Sequence, residues 1–408
     1  MATPTGGGGT VGGGGGEGEM SLDVGSSLAG HERDPYPALA EHRRSAPVAW
    51  TRRYTGFDAV ALYRYDDVAA ALGDDDTWSA ASAKLLYQEF MGEYVMVGMD
   101  EPEHRRYRAL VAPAFRPRIL EAWADGRIRP LVEELVDSLA GEDRVDLVRS
   151  FTARFPVWVI AGILGLPRED WLTFRRWSMA IIDGGADVPR ARAASQELAA
   201  YFQVLIDQRR VRPGDDLLSE LAVTELDGER LSDEEILSFV RLLLPAGVET
   251  TYRSSGTVLL ALLSDPAQLA AVQGDPSLIP AAIEEGLRWE TPVLLTTRIA
   301  RHDTRLGEVE VPAGSWMVAH LGSANHDESR WDDPEHFDLF RPPRATMSFG
   351  HGPHTCLGMH LSRIEARVAL ELLLDRYPGI HLDPGDDDPH IRGTLFRSPT
   401  CVPVRLAA

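Results

Sequence analysis

One short segment concentrates the reactive side chains of this sequence. Residues 349–360 read FGHGPHTCLGMH, with Cys356 set among three glycines and three histidines. The stretch beyond the cysteine, LGMHLSRIEARVALELLLDRY, carries Leu361, Ile364, Val368 and Leu372 on one stripe and predicts a helix. Cys356 is therefore expected at a helix N-terminus, where unpaired N–H groups and the helix dipole favour a thiolate. Gly350, Gly352 and Gly358 remove side chains around the sulfur and let a flat group approach closely. Three chemistries fit these residues. One is a buried structural cysteine. Another is a zinc site drawing on His351, His354, Cys356 and His360, although a second ligand pair at ordinary zinc spacing is missing. The third is a thiolate ligand to haem iron, with the glycines clearing space for the ring.

Two other stretches carry paired polar groups. PAAIEEGLRWETP places Glu285 and Arg288 three apart on one helix face, a spacing shared with ordinary surface ion pairs. LSDEEILSFVRLLLPAGVETTYRSSG opens on a capping box made by Ser232 and Glu235. A helical pattern then runs to about Ser264, longer than globular helices usually are. Pro245 sits in its middle, cannot donate to the carbonyl of Arg241, and is expected to bend the helix. Gly247, Glu249, Thr250 and Thr251 come next. An acid and a hydroxyl beside a bend make a local polar site; the alternative is a threonine bonding back to the carbonyl of Ala246.

The elements that must position these groups are mostly helical. RIRPLVEELVDSLAG, PREDWLTFRRWSMAI and RARAASQELAAYFQVLIDQRR repeat apolar residues at three and four spacing. Strand candidates are few: APVAWTR, RLGEVEVPAG, SWMVAHL and CVPVRL. They are too scattered for an alternating βαβ architecture, so the expected class is mainly α with small β-sheets. GGGGTVGGGGG follows no strand and opens no helix, which removes it as a nucleotide-binding loop. Residues 1–20 read as a disordered glycine-rich tail, and 21–408 as a single domain without repeat or second linker. A net charge of −21 argues against nucleic acid as a partner. Two cysteines, Cys356 and Cys401, make no disulfide framework and point to a reducing cytoplasm. Neither end carries an apolar run of transmembrane length or a signal peptide, so no membrane anchor is expected.

Together these residues resemble the cytochrome P-450 family of haem-thiolate monooxygenases, in its soluble bacterial form. The cysteine loop F-G-x-G-x-H-x-C-x-G is met by Phe349, Gly350, Gly352, His354, Cys356 and Gly358. E-x-x-R is met by Glu285 and Arg288, and A-G-x-[DE]-T by Ala246, Gly247, Glu249 and Thr250. The resemblance covers everything after the tail. Two departures stand out: Met347-Ser348 before the loop, and Pro245 in the long helix, where it bears on the width of the oxygen groove. The implied fold holds haem b between a long central helix and the cysteine loop, with Cys356 as the axial ligand of the iron. His104 and Arg108 in MDEPEHRRYRALVAPAF, Arg298 in TTRIA, and His354 would hold the two propionates, which need charge-assisted donors when buried. Arg341 in WDDPEHFDLFRP would complete a structural network with Glu285 and Arg288.

The implied reaction inserts one oxygen atom from dioxygen into a lipophilic small molecule. Thr250 would steady dioxygen and Glu249 would feed protons. Electrons would come from NAD(P)H through a reductase and a ferredoxin, which would dock on Arg105, Arg106, Arg108, Arg116 and Arg118 of an expected monomer. The alternatives are a peroxide-driven haem-thiolate enzyme, which needs no separate proton relay, and a non-catalytic haem sensor. By family position the substrate pocket draws on Leu86, Tyr87, Phe90, Met91 and Val95. Met179, Ile182, Leu243 and Ala246 join them, as do Val293, Leu294, Leu295, Thr296, Leu395 and Phe396.

Overall fold

A computed structural model describes residues 32–226 and 228–406. The glycine-rich residues 1–20 lie outside that range. Helices dominate, and seven of them position the site. In chain order these are α1 (Glu103–Val111), α2 (Phe155–Ile163), α3 (Trp171–Ile182), α4 (Val188–Val211), α5 (Asp233–Ser264), α6 (Ile279–Trp289) and α7 (Met359–Arg376). The periodic segments read from the sequence coincide with α3, α4, α5 and α7, and with a further helix at Arg129–Asp137.

The 32-residue α5 is the axis of the molecule, about 48 Å long at 1.5 Å per residue. Its start is fixed by the capping box: the Glu235 amide donates to Ser232 Oγ (3.3 Å), and the Ser232 amide donates to Glu235 Oε2 (2.6 Å). Helix α5 packs against α2, α3, α4, α6 and α7, which explains why it is apolar on nearly every side. It runs through Pro245 without interruption.

A five-stranded sheet lies beside the helices. Its strands are β1 (Val48–Thr51), β2 (Ala59–Leu62), β3 (Trp78–Ser79), β4 (Thr296–Ala300) and β5 (Trp316–Ala319), in the order β1-β2-β5-β4-β3. β1 and β2 form a hairpin, with Val48 opposite Leu62. β2 pairs in parallel with β5, Ala59 opposite Trp316. Parallel pairing demands a crossover, and here the crossover contains α1 through α6. β5 then runs antiparallel to β4, which sets Met317 opposite Arg298.

β1, β5, the hairpin Thr304–Leu306/Val309–Val311 and the strand Pro403–Arg405 fall where strands were expected. β2 and β4 were not read as strands. All four residues of β2 are buried, so the sequence AVAL carries no alternation to betray it. β4 is short, with three β-branched residues round one arginine. Among the described residues no single helix is long and apolar enough to cross a membrane.

Candidate functional site

The cysteine loop is a chain of tight turns that aims Cys356 at a cavity. The Gly350 amide donates to Met347 O (2.9 Å), and the Cys356 amide donates back to Phe349 O (2.9 Å). Arg108 from α1 donates to Thr355 O at 2.7 Å, tying the loop to α1. The Arg363 guanidinium lies 4.5 Å from the centre of the Phe349 ring and pairs with Glu284 on α6. α7 begins at Met359, with Gly358 as its cap. Two glycines do different work. Gly352, at φ 73°, is needed for packing, because a Cβ there would stand 2.3 Å from the carbonyl of Leu72. At Gly358 the nearest neighbour of an added Cβ is the Cys356 sulfur itself, 4.0 Å away.

Cys356 is open to the cavity, yet the chain packs closely enough around it to push its thiol up. The Gly358 amide, Arg108 and Arg363 pull the other way and lose. A position at a helix N-terminus was expected to lower the thiol; burial outweighs it in the protein alone. A coordinated metal reverses that balance, since it deprotonates a thiol outright.

The cavity is about 340 Å³ and runs between α5, the cysteine loop, α1 and β4. Cys356, His104, Arg108, Ala246, Thr250, Arg298, Phe349, Gly350, His354 and Gly358 all line it. Four of these are basic and crowd together. His104 and His354 stack with ring centres 4.0 Å apart. Burial, then Arg298, His104 and Arg108, pull His354 down to about 3. Burial likewise lowers Arg298, whose donors among the described residues reach oxygens of its own strand, Thr297 O (2.8 Å) and Thr296 Oγ1 (3.5 Å). His104 Nδ1 meets Glu101 Oε1 at 3.2 Å. Guanidinium and imidazole groups crowded together at a cavity wall fit an anion placed between them. A sulfur, a cluster of basic groups and apolar side chains lining one cavity therefore fit haem, whose iron Cys356 would hold and whose propionates the basic groups would hold. Among the described residues no group of three His, Cys, Asp or Glu is arranged to hold a bare metal ion.

Glu285, Arg288 and Arg341 stand away from the cavity. Arg288 Nε and Nη2 grip both Glu285 oxygens at 2.8 and 2.7 Å, and Arg341 Nε adds 3.0 Å to Oε1. The remaining donors of Arg288 reach the carbonyls of Asn325, Pro334 and His336. One carboxylate thus fixes two guanidiniums and the segment entering the cysteine loop. A second such knot was not read from the sequence: Arg397 grips Glu290 at 2.6 and 2.9 Å, and Tyr36 donates to the same carboxylate at 2.8 Å.

On α5 the expected pair divides. Thr250 lines the cavity and its hydroxyl donates to Ala246 O at 2.8 Å, the back-bond that was the alternative reading. Glu249 is absent from the cavity wall, fully buried, and ion-paired with Arg253 one turn on, at 3.3 Å. Burial raises its carboxyl, against the pull of Arg253 and Arg175.

Of the pocket candidates, Leu243, Val293 and Thr296 line the cavity together with Ala246. Leu86 is exposed. Phe90, Met91, Val95, Met179, Leu294 and Phe396 are buried in the packing behind the wall, and Tyr87, Ile182, Leu295 and Leu395 are half-buried outside it. The wall instead uses Met96, Val97, Ile160, Phe239 and Leu242. Met96 and Val97 lie just past Val95, where a short 3-10 turn at Met96–Gly98 re-aims the chain. Glu365 on α7 was also missed, although it shares the stripe of Leu361, Val368 and Leu372, where a carboxylate is out of place.

The description "Cytochrome P450" belongs to the family model that matches residues 170–400. Cytochrome P450 107B1 of Saccharopolyspora erythraea is 38% identical over 382 residues, 90% of this chain and 93% of that protein. Cytochrome P450 monooxygenase PikC of Streptomyces venezuelae is 37% identical, over 91% of this chain and 92% of its own length. Among solved structures, CYP109E1 of Bacillus megaterium in complex with testosterone superposes with a TM-score of 0.83 at 33% identity, covering 92% of this chain and all of that one.

Proposed function

The chain belongs to the cytochrome P450 family and is a monooxygenase of its bacterial type, and from that premise we propose that it oxidises a lipophilic small molecule with electrons from a ferredoxin and its reductase. The observation that carries the reading is one cavity into which Cys356, Thr250, the buried Arg298 and the half-buried Arg108 all open. Haem, when bound, supplies the activation of dioxygen and the insertion into substrate.

The chain's own residues do the rest. Cys356 holds the iron. Arg298, Arg108, His104 and His354 hold the propionates, and in doing so regain the anion their burial calls for. Phe239, Leu242, Leu243, Val293, Met96 and Val97 exclude water and favour an apolar substrate. A steroid is the first class to screen, since the Bacillus megaterium neighbour at 33% identity holds testosterone. Thr250 presents a hydroxyl on the cavity side of α5. Glu249, next along the helix, serves as its acid when the pair with Arg253 opens. The domain spans 21–408, acts as a monomer, and works in the cytoplasm, where both cysteines stay reduced.

The ferredoxin meets the cysteine-loop side. Arg105 and Arg106 are already paired with Glu101 and Glu229, and Arg108 turns inward. Arg116 and Arg118 are exposed and are left to receive an acidic carrier.

Cys356→Ser tests the centre of this reading. The variant is expected to lose the thiolate absorption signature of the carbon monoxide complex. A retained signature would transfer the ligand role to another group, Cys401 first. Turnover driven by ferredoxin and reductase, compared with turnover driven by hydrogen peroxide, separates the monooxygenase route from a peroxide-dependent one.

A further inference from the structure

The knot of Tyr36, Glu290 and Arg397 joins three distant parts of the chain, and one of them continues directly into the cavity wall. Tyr36 is 4% exposed and Arg397 1%. Every N–H of the Arg397 side chain has an acceptor. Nε and Nη2 hold the Glu290 carboxylate, and the other donors reach the carbonyls of Gly393 (3.0 Å), Glu32 (3.1 Å) and Arg33 (2.8 Å). The Gly393 amide donates to Glu32 O at 2.9 Å, which ties the segment 32–36 to the C-terminal loop a second time. Burial, and then the charge of Glu290, keep the Tyr36 phenol well above its usual value, so its O–H stays available to that carboxylate. The Tyr36 ring stacks on His326 with centres 3.8 Å apart.

Glu290 stands just past the end of α6, and the chain beyond it supplies Pro292, Val293, Thr296 and Arg298 to the cavity. Residues 395–397 hold that stretch from behind. The Leu294 amide donates to Leu395 O (2.8 Å), the Arg397 amide donates to Pro292 O (3.1 Å), and Val293 pairs with Phe396. One arginine therefore grips the wall segment twice, by its side chain at Glu290 and by its backbone at Pro292. A fully satisfied buried network has a single arrangement, and the segment between two such grips inherits its position. Tyr36, Glu290 and Arg397 are themselves absent from the cavity wall. We propose that Arg397 and Tyr36 are positioning residues for substrate selection: through Glu290 and the Pro292 carbonyl they set how far Pro292 and Val293 stand into the cavity, and so which apolar molecules fit. The segment 32–36 thereby takes part in specificity from outside the pocket. This rests on the proposed haem site.

The test uses the haem-loaded holoenzyme and needs no known substrate. Two azoles are titrated and followed by the absorption shift that a nitrogen ligand causes at haem iron. Imidazole needs little more than the iron, whereas 4-phenylimidazole adds a ring that must share the cavity with the wall. Arg397→Lys keeps a cation for Glu290 but gives up the fork that reaches Gly393, Glu32 and Arg33. It is expected to change the dissociation constant of 4-phenylimidazole at least about fivefold and to leave that of imidazole within about twofold. Tyr36→Phe removes only the O–H and should shift the ratio of the two constants in the same direction, by about two- to threefold. A ratio at the wild-type value in both variants overturns the proposal, and a lower Tm or haem content beside that unchanged ratio would make the knot purely structural. If Arg397→Lys does not fold, Tyr36→Phe decides alone. Failure of the haem site itself would show separately, as a wild type that gives no shift with imidazole.

Discussion

Two buried glutamates in this molecule each face an arginine about one helical turn on, and they are held in opposite ways. At Glu285 every group is accounted for. Both carboxylate oxygens accept from Arg288, Oε1 also accepts from Arg341 and from the Asp338 amide, and the spare guanidinium donors end on backbone carbonyls. At Glu249 the contact is one 3.3 Å bond to Arg253. Glu249 Oε1 and Arg253 Nε and Nη1 find no hydrogen-bond partner among the described residues, although all are buried. The Arg253 guanidinium is instead held by aromatic faces, 4.9 Å from the centre of Tyr252 and 5.4 Å from that of Phe396. A filled network fixes one arrangement; a half-filled one leaves room for water and for a second arrangement. That difference separates a structural knot from a group able to let go.

The largest effect expected is at the filled network. Glu285→Ala leaves Arg288, 1% exposed, and Arg341 without their carboxylate. The cost is about 3–5 kcal/mol. Denaturant unfolding and haem content should show an insoluble or haem-free protein. A soluble variant of normal stability and full haem content would remove the structural role and with it the contrast to Glu249.

An intermediate effect is expected at the half-filled pair. Glu249→Gln should cost about 1–3 kcal/mol, and a double-mutant cycle with Arg253→Ala should return a smaller coupling than the one for Glu285 and Arg288. The pH dependence has a definite sign. Burial raises the folded Glu249 carboxyl above its ordinary value of 4.5. Its contribution is therefore complete below about pH 4.5 and is lost as pH rises through the folded value. The glutamine variant lacks that loss, so its stability relative to wild type should improve as pH rises. Unfolding curves at several pH values check this; a relative stability that worsens with pH would mean that Arg253 holds a fully satisfied carboxylate.

How far all this was readable from the sequence follows the same division. The cysteine loop, the capping box at Ser232 and the E-x-x-R spacing are local, and local spacing dictates local geometry. Arg341 entered only through the family resemblance, because 56 residues separate it from Glu285. Arg397 and Tyr36 close on Glu290 from opposite ends of the chain, and no spacing rule reaches that far. The pocket residues were misplaced for another reason. Apolar side chains on either side of a wall look alike in sequence, and a 3-10 turn at Met96–Gly98 decides which of them face inward. The orientation of Glu249 was likewise hidden. Arg253 stands four residues on in plain view, but only packing decides whether an i, i+4 pair closes.

The smallest change in stability, and the sharpest question about the comparison, belongs to Thr250. Its hydroxyl gives its proton to Ala246 O at 2.8 Å, so the bond within the helix is already made. Donating that proton does not use up the oxygen's lone pairs, which stay free to accept from water in the cavity. Removal of the bond alone costs about 1 kcal/mol, and Thr250→Ala should unfold accordingly. If the hydroxyl also steers protons, the variant should still bind substrate and consume reduced cofactor, yet release more hydrogen peroxide per product. Thr251 complicates the single substitution, because it lines the same cavity and a small helix shift would let it substitute. The double change to alanine is the cleaner test. A ratio of product to cofactor that stays at the wild-type value in the double variant would leave Thr250 with only its back-bond.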